Sequence, residues 1–217
     1  MKITYIVASH KKEMLDSFLY RNKCLKNAYR ILVLKDYKNV AKAYNNALKT
    51  IKDDEILIFL HHDVFLPKDW DKRLEEIINR LPNNWGCLGL AGTNLVNKKQ
   101  KFVGNIRING TKWIHNIKDF VEIETIDELM LIVKAETMKG IKFDNKCARH
   151  FYGADLCFKL KEKGYKNYII NNYAHHNGDT NIVAFNGSYS KDFYKTGKYM
   201  TKKYNFSWCT TCCLNNK

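Results

Sequence analysis

The sequence predicts an α/β protein with a mostly parallel β-sheet flanked by helices. Strand-like and helix-like segments alternate through the N-terminal third of the chain, in the order β-α-β-α-β. The strand-like segments are uninterrupted apolar runs, which is typical of parallel strands that are covered on both faces. The length of 217 residues suits one domain with a sizeable core and a short appendage.

Each element of the N-terminal half follows from its hydrophobic pattern and its end signals. Strands are predicted at KITYIVAS, YRILVLKD and DEILIFL, where β-branched and other apolar residues run together. Helices are predicted between these strands at KKEMLDSFLYRNKCLKNA and NVAKAYNNALKTIK, whose apolar residues recur at helical spacing. A third helix begins near Asp69 and stops before Pro82, and the Gly-rich strand WGCLGLAG follows it.

The C-terminal half has a less regular pattern. Turn signals between residues 97 and 118 indicate loops and short hairpin strands, and one or two strands are expected around Asp127-Glu128. The segment GADLCFKLKEKGY is a predicted helix that Gly164 ends, and KNYIINNYAHHN is the predicted last strand. The remainder is first rich in Gly, Asn and Ser and then basic and aromatic.

The composition indicates a basic protein of the cytosol. There are 37 Lys+Arg residues against 22 Asp+Glu, which gives a net charge of +15 and favours anionic partners such as nucleotide phosphates, nucleic acid or an anionic membrane. No apolar run approaches the roughly 18–20 residues that span a bilayer, and the N-terminus lacks the core of a signal peptide. The seven cysteines are an odd number, which argues against a complete disulfide framework. The CTTCC tail has one zinc-like pair spacing without a second pair, so free thiols are expected there.

Polar residues stand where the predicted strands end. Ligands of open parallel sheets bind outside the carboxyl ends of the strands, so these residues are expected to converge on one edge. They are Ser9, His10, Asp36, His61, His62, Asp63, His175 and His176.

Asp63 is the strongest candidate in this set. A carboxylate flanked by imidazoles can bind a divalent cation that also holds a diphosphate, and imidazole favours Mn²⁺ over Ca²⁺. His175 and His176 would add a ligand from a second strand end. In the alternative interpretation, His61 and His62 only cap a turn.

Other residues each have a functional and a structural interpretation. Asp155, in the first turn of a predicted helix, is either a residue favoured by the helix dipole or a general base. Asp127 and Glu128 precede an apolar run and could clamp an acceptor.

Three more residues are open in the same way. Asp36 could bind a nucleobase or ribose, or it could simply begin a turn. Asn45 could face a nucleotide from its helix, or be an ordinary polar helix position. Trp85 could offer a sugar its flat face, but its context favours a core or helix-end position.

The order of these pieces resembles the GT-A fold of family-2-type glycosyltransferases, a Rossmann-like fold whose sheet binds a nucleotide sugar. The stretch NVAKAYNNALKTIKDDEILIFLHHDVFLPKDW is similar to the family's A-R-N-x-G helix followed by a strand that ends in D-x-D. The helix motif is changed here to AYNNA, and the D-x-D to His61-His62-Asp63. The resemblance implies that Asp63 is the principal metal contact and that His61 lies near ribose or sugar.

Two further segments extend the resemblance over roughly residues 1–180. FYGADLCFKLKEKGYK is similar to the family's E-D-x-x-L segment, which implies that Asp155 is the catalytic base. AHH resembles the metal-binding His of parts of the GT-A superfamily. WGCLGLAG and IDELMLIVKAE look like acceptor-side strands of a subgroup that carries H-H-D-V.

The resemblance implies transfer of a sugar, by inversion, from a nucleotide-diphosphate sugar (UDP-sugar favoured) to an acceptor hydroxyl, with Mn²⁺ or Mg²⁺. The acceptor would be a glycan, a lipid-linked saccharide or a protein. Residues 1–95 would form the nucleotide-sugar-binding half and residues 96–180 the acceptor-side half. Residues 181–217 would form a lid or a surface helix, with peripheral membrane contact as one role.

Two other functions remain open at this point. One is a metal-dependent phosphohydrolase or nucleotidyltransferase, although such two-metal sites generally use more carboxylates close together. The other is a nucleic-acid-binding module that uses the basic, aromatic tail. The α/β frame would then have no role, so no nucleic-acid partner is expected.

Overall fold

The computed structural model describes residues 1–35, 37–96, 99–108, 111–114, 117–177 and 190–205. Within these residues the helices are α1 (Lys12–Ser17), α2 (Val40–Leu48), α3 (Trp70–Ile78), α4 (Tyr152–Glu162) and α5 (Lys191–Tyr204). Short 3-10 helices lie at Leu19–Arg21, Lys23–Asn27 and Glu136–Met138.

The strands of the described residues form two sheets. In chain order they are β1 (Lys2–Ser9), β2 (Arg30–Lys35), β3 (Glu55–His61), β4 (Val64–Phe65), β5 (Trp85–Gly89), β6 (Ala91–Val96), β7 (Lys99–Ile108), β8 (Thr111–Ile114), β9 (Phe120–Ile123), β10 (Thr125–Ile126), β11 (Met130–Lys134), β12 (Lys166–Ile170) and β13 (Ala174–His176).

The larger sheet has the strand order β2-β1-β3-β11-β5-β12-β9. β1 is parallel to β2 and β3, and β5 is parallel to β12, whereas β11 is antiparallel to β3 and β5 and β9 is antiparallel to β12. Five strands therefore run in one direction, and the predicted mostly parallel α/β fold is confirmed. Because β11 is reversed, its amino end lies at the same edge as the carboxyl ends of β1 and β3.

The β3 strand occupies the centre of this sheet, which explains its uninterrupted apolar run. Leu57 and Phe59 face the core shared with α2 and α4, and Ile58 and Leu60 face the core shared with α1 and α3. All four side chains are fully buried. A strand covered on both faces gains burial at every position, so the polar residues begin only where the strand leaves the core.

Three predicted elements are wrong in their extent. The long first helix ends after six residues, because the Asn22 amide donates to the Phe18 and Leu19 carbonyls and competes with helical hydrogen bonds. The predicted strand WGCLGLAG divides into β5 and β6, which belong to different sheets.

The predicted last strand is also two strands. β12 stays in the larger sheet, and β13 joins the smaller sheet, whose order is β10-β6-β7-β13-β4 with β8 against β7. Asn172 fixes the break, since its amide donates to the Trp70 carbonyl at 2.9 Å and accepts from Arg73 at 3.2 Å. This break moves His176 across the edge of the larger sheet, next to Asp63.

The α5 helix packs against α4 and the segment before it. The Phe193 ring lies 4.9 Å from that of Phe151, and the Tyr204 ring lies 4.6 Å from that of Phe158. The described part of the predicted C-terminal segment is therefore a docked helix, while the CTTCC tail lies outside the described residues. No helix in the described part of the chain is long and apolar enough to cross a membrane.

Candidate functional site

The candidate site lies at the edge where β1 and β3 end and β11 begins. A cavity of about 610 Å³ opens there. It brings together the polar strand-end residues His10, His61, His62, Asp63 and His176. Of the predicted strand-end residues, Asp36 lies outside the described residues, and the others are described below.

Three of these residues form a potential metal-binding cluster. One ligand atom each from His61, Asp63 and His176 lies within 4.8 Å of the others. The Nε2 atom of His176 is 3.3 Å from Oδ1 of Asp63. β13 brings His176 there by pairing it with Val64, and the Asn177 amide donates to the Asp63 carbonyl at 3.0 Å.

The electrostatics of the cluster favour an ionised Asp63. Burial acts to raise its pKa, but the contact with His176 and the charges of His176, His61 and His62 outweigh burial and lower the pKa to about 2. Burial lowers the pKa of His61, which keeps its imidazole neutral and able to act as a ligand. For His176, burial acts in the same direction, yet Asp63 prevails and raises the pKa.

This ligand set fits a divalent cation. Asp63 is 9% exposed, and no described residue makes a well-directed hydrogen bond to its Oδ1 atom. A buried carboxylate oxygen of this kind normally has a partner. Two imidazoles and one carboxylate suit Mn²⁺ better than Ca²⁺.

The structure does not bring His175 into this cluster. Alternation along β13 turns its ring away from His176 and toward the Tyr173 ring at 4.8 Å and the Phe65 ring at 6.0 Å. Of the predicted pair, the structure therefore brings His176, and not His175, to the cluster.

The remaining strand-end residues support the cluster. The Ser9 hydroxyl is 2.7 Å from Nδ1 of His62, and the His62 ring lies 5.5 Å from that of His10. On the other side, Nε2 of His61 is 3.2 Å from the Tyr152 hydroxyl. Ser9 is buried and positions His62, while His10 and His62 face the cavity.

The cavity also has three cationic side chains that the sequence did not single out. Lys11, Lys38 and Arg149 line it. Each is one of 37 basic residues, so composition could not distinguish them. The only sequence signal was position, because Lys11 and Lys38 follow the ends of the first two strands.

Two predicted binding residues lie elsewhere. Asn45 donates from Nδ2 to the Phe143 carbonyl at 2.9 Å and accepts from the Phe143 amide at 2.8 Å, so its side chain holds a loop on the other side of α2. Trp85 begins β5 at the opposite edge of the sheet, is 2% exposed and lies under the Lys134 ammonium. Neither residue is in position to contact a nucleotide or sugar at the cluster.

Asp155 does not occupy the position expected of a base. Its side chain is fully buried in the first turn of α4 and faces α5. Its Oδ1 atom lies 2.6 Å from Nζ of Lys203 and accepts from the Tyr204 hydroxyl at 2.7 Å, and its Oδ2 atom lies 2.6 Å from Nζ of Lys159. The predicted catalytic role does not fit a carboxylate that is enclosed by three partners.

Asp127 and Glu128 do lie at the site edge, directly before β11. Both are partly buried. Asp127 accepts the Leu129 amide on Oδ1 at 3.0 Å, and Glu128 accepts the Gly153 amide on Oε1 at 3.3 Å. Burial and the charge of Asp127 raise the pKa of Glu128 to about 8.

Solved structures share this fold at low sequence identity. A197 from STIV is 20% identical with a TM-score of 0.54, over 82% of this chain and 87% of that one. GalNAc-T7 with UDP, GalNAc and Mn²⁺ is 10% identical with a TM-score of 0.59, over 95% of this chain and 48% of that one. The mannosyltransferase PcManGT from Pyrobaculum calidifontis, in complex with GDP-Man and Mn²⁺, is 11% identical with a TM-score of 0.56, over 86% of this chain and 59% of that one.

These likenesses identify the fold as the GT-A type of glycosyltransferases. No curated protein sequence matches the chain. Residues 24–216, in contrast, match the sequence profile described as "Glycosyltransferase like family". That match extends over most of the chain, including the cluster of His61, Asp63 and His176, and the protein therefore belongs to this glycosyltransferase-like family.

Proposed function

We propose that the protein transfers a sugar from a nucleotide-diphosphate sugar to an acceptor hydroxyl, with a divalent cation held by His61, Asp63 and His176. The observation that carries the proposal is the buried, ionised Asp63 carboxylate between two imidazoles at the mouth of a cavity large enough for a nucleotide. The Mn²⁺ in the GalNAc-T7 and PcManGT complexes is in keeping with this choice of cation.

The residues that line the cavity suit both the phosphates and the base of a nucleoside diphosphate. Lys11, Lys38 and Arg149 would offset the charge of the two phosphates. Met14 and Tyr37 give the same cavity apolar and aromatic surface on which a nucleobase can pack. UDP-sugars are the first donors to test, and GDP-sugars follow, because those nucleotides are bound in the two complexes named above.

The residues of the cluster would each have a distinct task. Asp63 and His176 would hold the cation, and His61 would complete the set while the Tyr152 hydroxyl fixes its ring. When bound, the cation supplies positive charge that offsets the charge developing on the departing diphosphate. Inversion at the anomeric carbon, the class of acceptor, a cytosolic location and peripheral membrane contact all stay predictions.

A thermal-shift panel tests this function. UDP-, GDP- and CDP-sugars are added with and without Mn²⁺ to the wild type and to Asp63→Ala. We expect at least one donor to raise the melting temperature of the wild type only when Mn²⁺ is present, and Asp63→Ala to lose that shift. Ligand at about 100 times its Kd stabilises by about 2.7 kcal/mol, which is several degrees for a domain of this size.

Asp16→Ala is the matched control, since Asp16 is an exposed aspartate in α1 outside the cavity. It should keep the full metal-dependent shift. The proposed function fails if no donor gives a Mn²⁺-linked shift with the wild type. The assignment of the metal site fails if Asp63→Ala keeps the same Mn²⁺-dependent rise in melting temperature as Asp16→Ala.

A further inference from the structure

We propose that Asp127, and not Asp155, is the carboxylate that takes the proton from the acceptor hydroxyl. This inference rests on the proposed function and assigns one further residue to it. It depends on where three carboxyl groups, those of Asp127, Glu128 and Asp155, lie relative to the metal-binding cluster.

Asp155 is excluded by its enclosure. A general base has to come within hydrogen-bond distance of the proton that it removes. Both oxygens of Asp155 are held by cations or a hydroxyl, and Lys203 and Tyr204 lie between this carboxylate and solvent on the α5 side. The group is fully buried, so an acceptor would reach it only after α5 had left.

The first turn of α4 has no other carboxylate to offer on its cluster side, where Tyr152 contacts His61. Gly153 stands there, and a Cβ atom at this position would lie 2.9 Å from the Ile126 carbonyl and 3.1 Å from Cγ of Glu128. The space that a side chain of residue 153 would need is already filled by the segment before β11. A carboxylate that faces the cluster from beside residue 153 therefore has to belong to the segment before β11, which contains Asp127 and Glu128.

Asp127 is the member of that segment that lies beside the cluster. The His61 amide donates to the Leu129 carbonyl at 3.0 Å, so the residue two positions before Leu129 lies next to the turn that carries Asp63. The charge of Asp127 acts on both His61 and His176, and it contributes to the raised pKa of His176. Asp127 is partly exposed, and the Leu129 amide fixes one of its oxygens, so the carboxylate is oriented before a substrate binds.

Glu128 has a different environment and a different role. Its Oε1 atom accepts the Gly153 amide at the start of α4, and its pKa of about 8 keeps it mostly protonated at neutral pH. A protonated carboxyl group cannot accept the acceptor's proton. Two adjacent carboxyl groups with separate environments commonly have separate tasks, and here Glu128 anchors α4 while Asp127 faces the acceptor.

The proposed step conserves atoms and electrons. The acceptor oxygen forms a bond to the anomeric carbon while the bond from that carbon to the diphosphate oxygen breaks. The electron pair of the broken bond leaves with the diphosphate, which departs as a nucleoside diphosphate. The acceptor's proton moves to the carboxylate of Asp127 and is later released to water, so no oxidant or reductant is required.

The test compares Asp127→Asn, Glu128→Gln and Asp155→Asn as purified full-length proteins. Release of nucleoside diphosphate is measured with Mn²⁺ and each of UDP-glucose, UDP-galactose, UDP-N-acetylglucosamine, UDP-N-acetylgalactosamine and GDP-mannose, with water as the acceptor. We expect Asp127→Asn to lose about 100-fold or more in kcat with little change in the donor KM. The kcat values of Glu128→Gln and Asp155→Asn should stay within about 10-fold of the wild-type value, since neither residue removes the proton. Each variant is measured below its own melting temperature.

Asparagine can still accept the Leu129 amide, so Asp127→Asn is expected to fold, and an unchanged Mn²⁺-dependent UDP thermal shift verifies this. In Asp127→Ala, added formate should restore part of the lost rate, which a purely structural role would not allow. The inference is overturned if Asp127→Asn keeps kcat within about 3-fold, or if Asp155→Asn loses as much as Asp127→Asn does. If the wild type neither binds UDP with Mn²⁺ nor releases diphosphate from any donor, the proposed function fails and the inference fails with it.

Discussion

In the part of the chain that the structure describes, two regions each bring three potential metal ligands within 4.8 Å of one another, and they differ in how their charges are compensated. The first is the cluster of His61, Asp63 and His176 at the cavity. The second is the group of Asp144, Cys147 and Asp155 beneath α5, which we call the α5 anchor. By the number of carboxylates alone, the α5 anchor, which has two, would be the better cation site.

The partners of the carboxylates reverse that ranking. In the α5 anchor, Nζ of Lys203 lies 2.7 Å from Oδ2 of Asp144 and 2.6 Å from Oδ1 of Asp155, so the protein supplies the cation itself. In the cavity cluster, the described groups that lower the pKa of the Asp63 carboxylate are the imidazoles of His176, His61 and His62. Acids whose charge a lysine already neutralises leave little negative charge for a metal ion, and loss of that lysine would destabilise the fold. A buried carboxylate without a fixed cation can instead bind one.

The largest expected effect comes from removing Lys203, the partly exposed cation that pairs with both carboxylates. Lys203→Met leaves Asp155 fully buried with Lys159 and Tyr204 as its remaining partners. Because breaking a buried ion pair leaves an uncompensated charge, we expect the free energy of unfolding to fall by about 3 kcal/mol. Urea unfolding of the wild type and the variant at neutral pH measures the difference.

Lys202→Met is the control for this change, since Lys202 is an exposed neighbour on α5. Its cost should stay within about 0.5 kcal/mol. Equal destabilisation by the two variants would contradict the interpretation of Lys203 as the fixed cation of the α5 anchor.

The difference between the cavity cluster and the α5 anchor also shows which features could be predicted from the sequence. The apolar runs predicted the strands and the α/β class, and the strand-end rule predicted that His61, His62 and Asp63 meet at one edge. The local sequence pattern could not predict that the Asp155 side chain, in the first turn of α4, faces α5. That orientation depends on Lys203, which is 48 residues further along the chain.

The break between β12 and β13 is a second example. The sequence KNYIINNYAHHN contains no proline or glycine to mark it. The break follows from tertiary hydrogen bonds of Asn172 to Trp70 and Arg73, about 100 residues earlier in the chain. The break lets β13 pair with β4, and alternation along β13 then directs one histidine to Asp63 and the other to Tyr173 and Phe65.

Those two histidines give the next prediction. His176→Ala should weaken Mn²⁺ binding in the presence of UDP by at least about 100-fold, or about 2.7 kcal/mol, because it removes a proposed ligand. His175→Ala, one position earlier on the same strand, should change the affinity by less than about 3-fold. Isothermal titration of Mn²⁺ into each protein with UDP present measures both values, and a similar loss in the two variants would show that the cavity cluster is not the metal site.

The smallest expected effect concerns the pH dependence of the α5 anchor. Burial acts to raise the pKa of Asp144, but hydrogen bonds from Lys203, Tyr199 and the Lys146 amide outweigh it and hold the pKa well below its usual range. A carboxylate whose pKa is lowered in the folded state contributes stability above its unfolded pKa of about 3.9, and that contribution is lost as the pH falls toward the folded value.

Asp144→Asn should therefore cost about 1–2 kcal/mol at pH 7, and the difference from the wild type should shrink steadily below pH about 4. Urea unfolding at pH 7, 4 and 3 measures this, with Asp16→Asn, which changes an exposed carboxylate, as the control. A difference that is the same at all three pH values would mean that Asp144 acts through shape rather than charge. In that case Asp155, and not Asp144, would be the carboxylate whose charge Lys203 compensates in the α5 anchor.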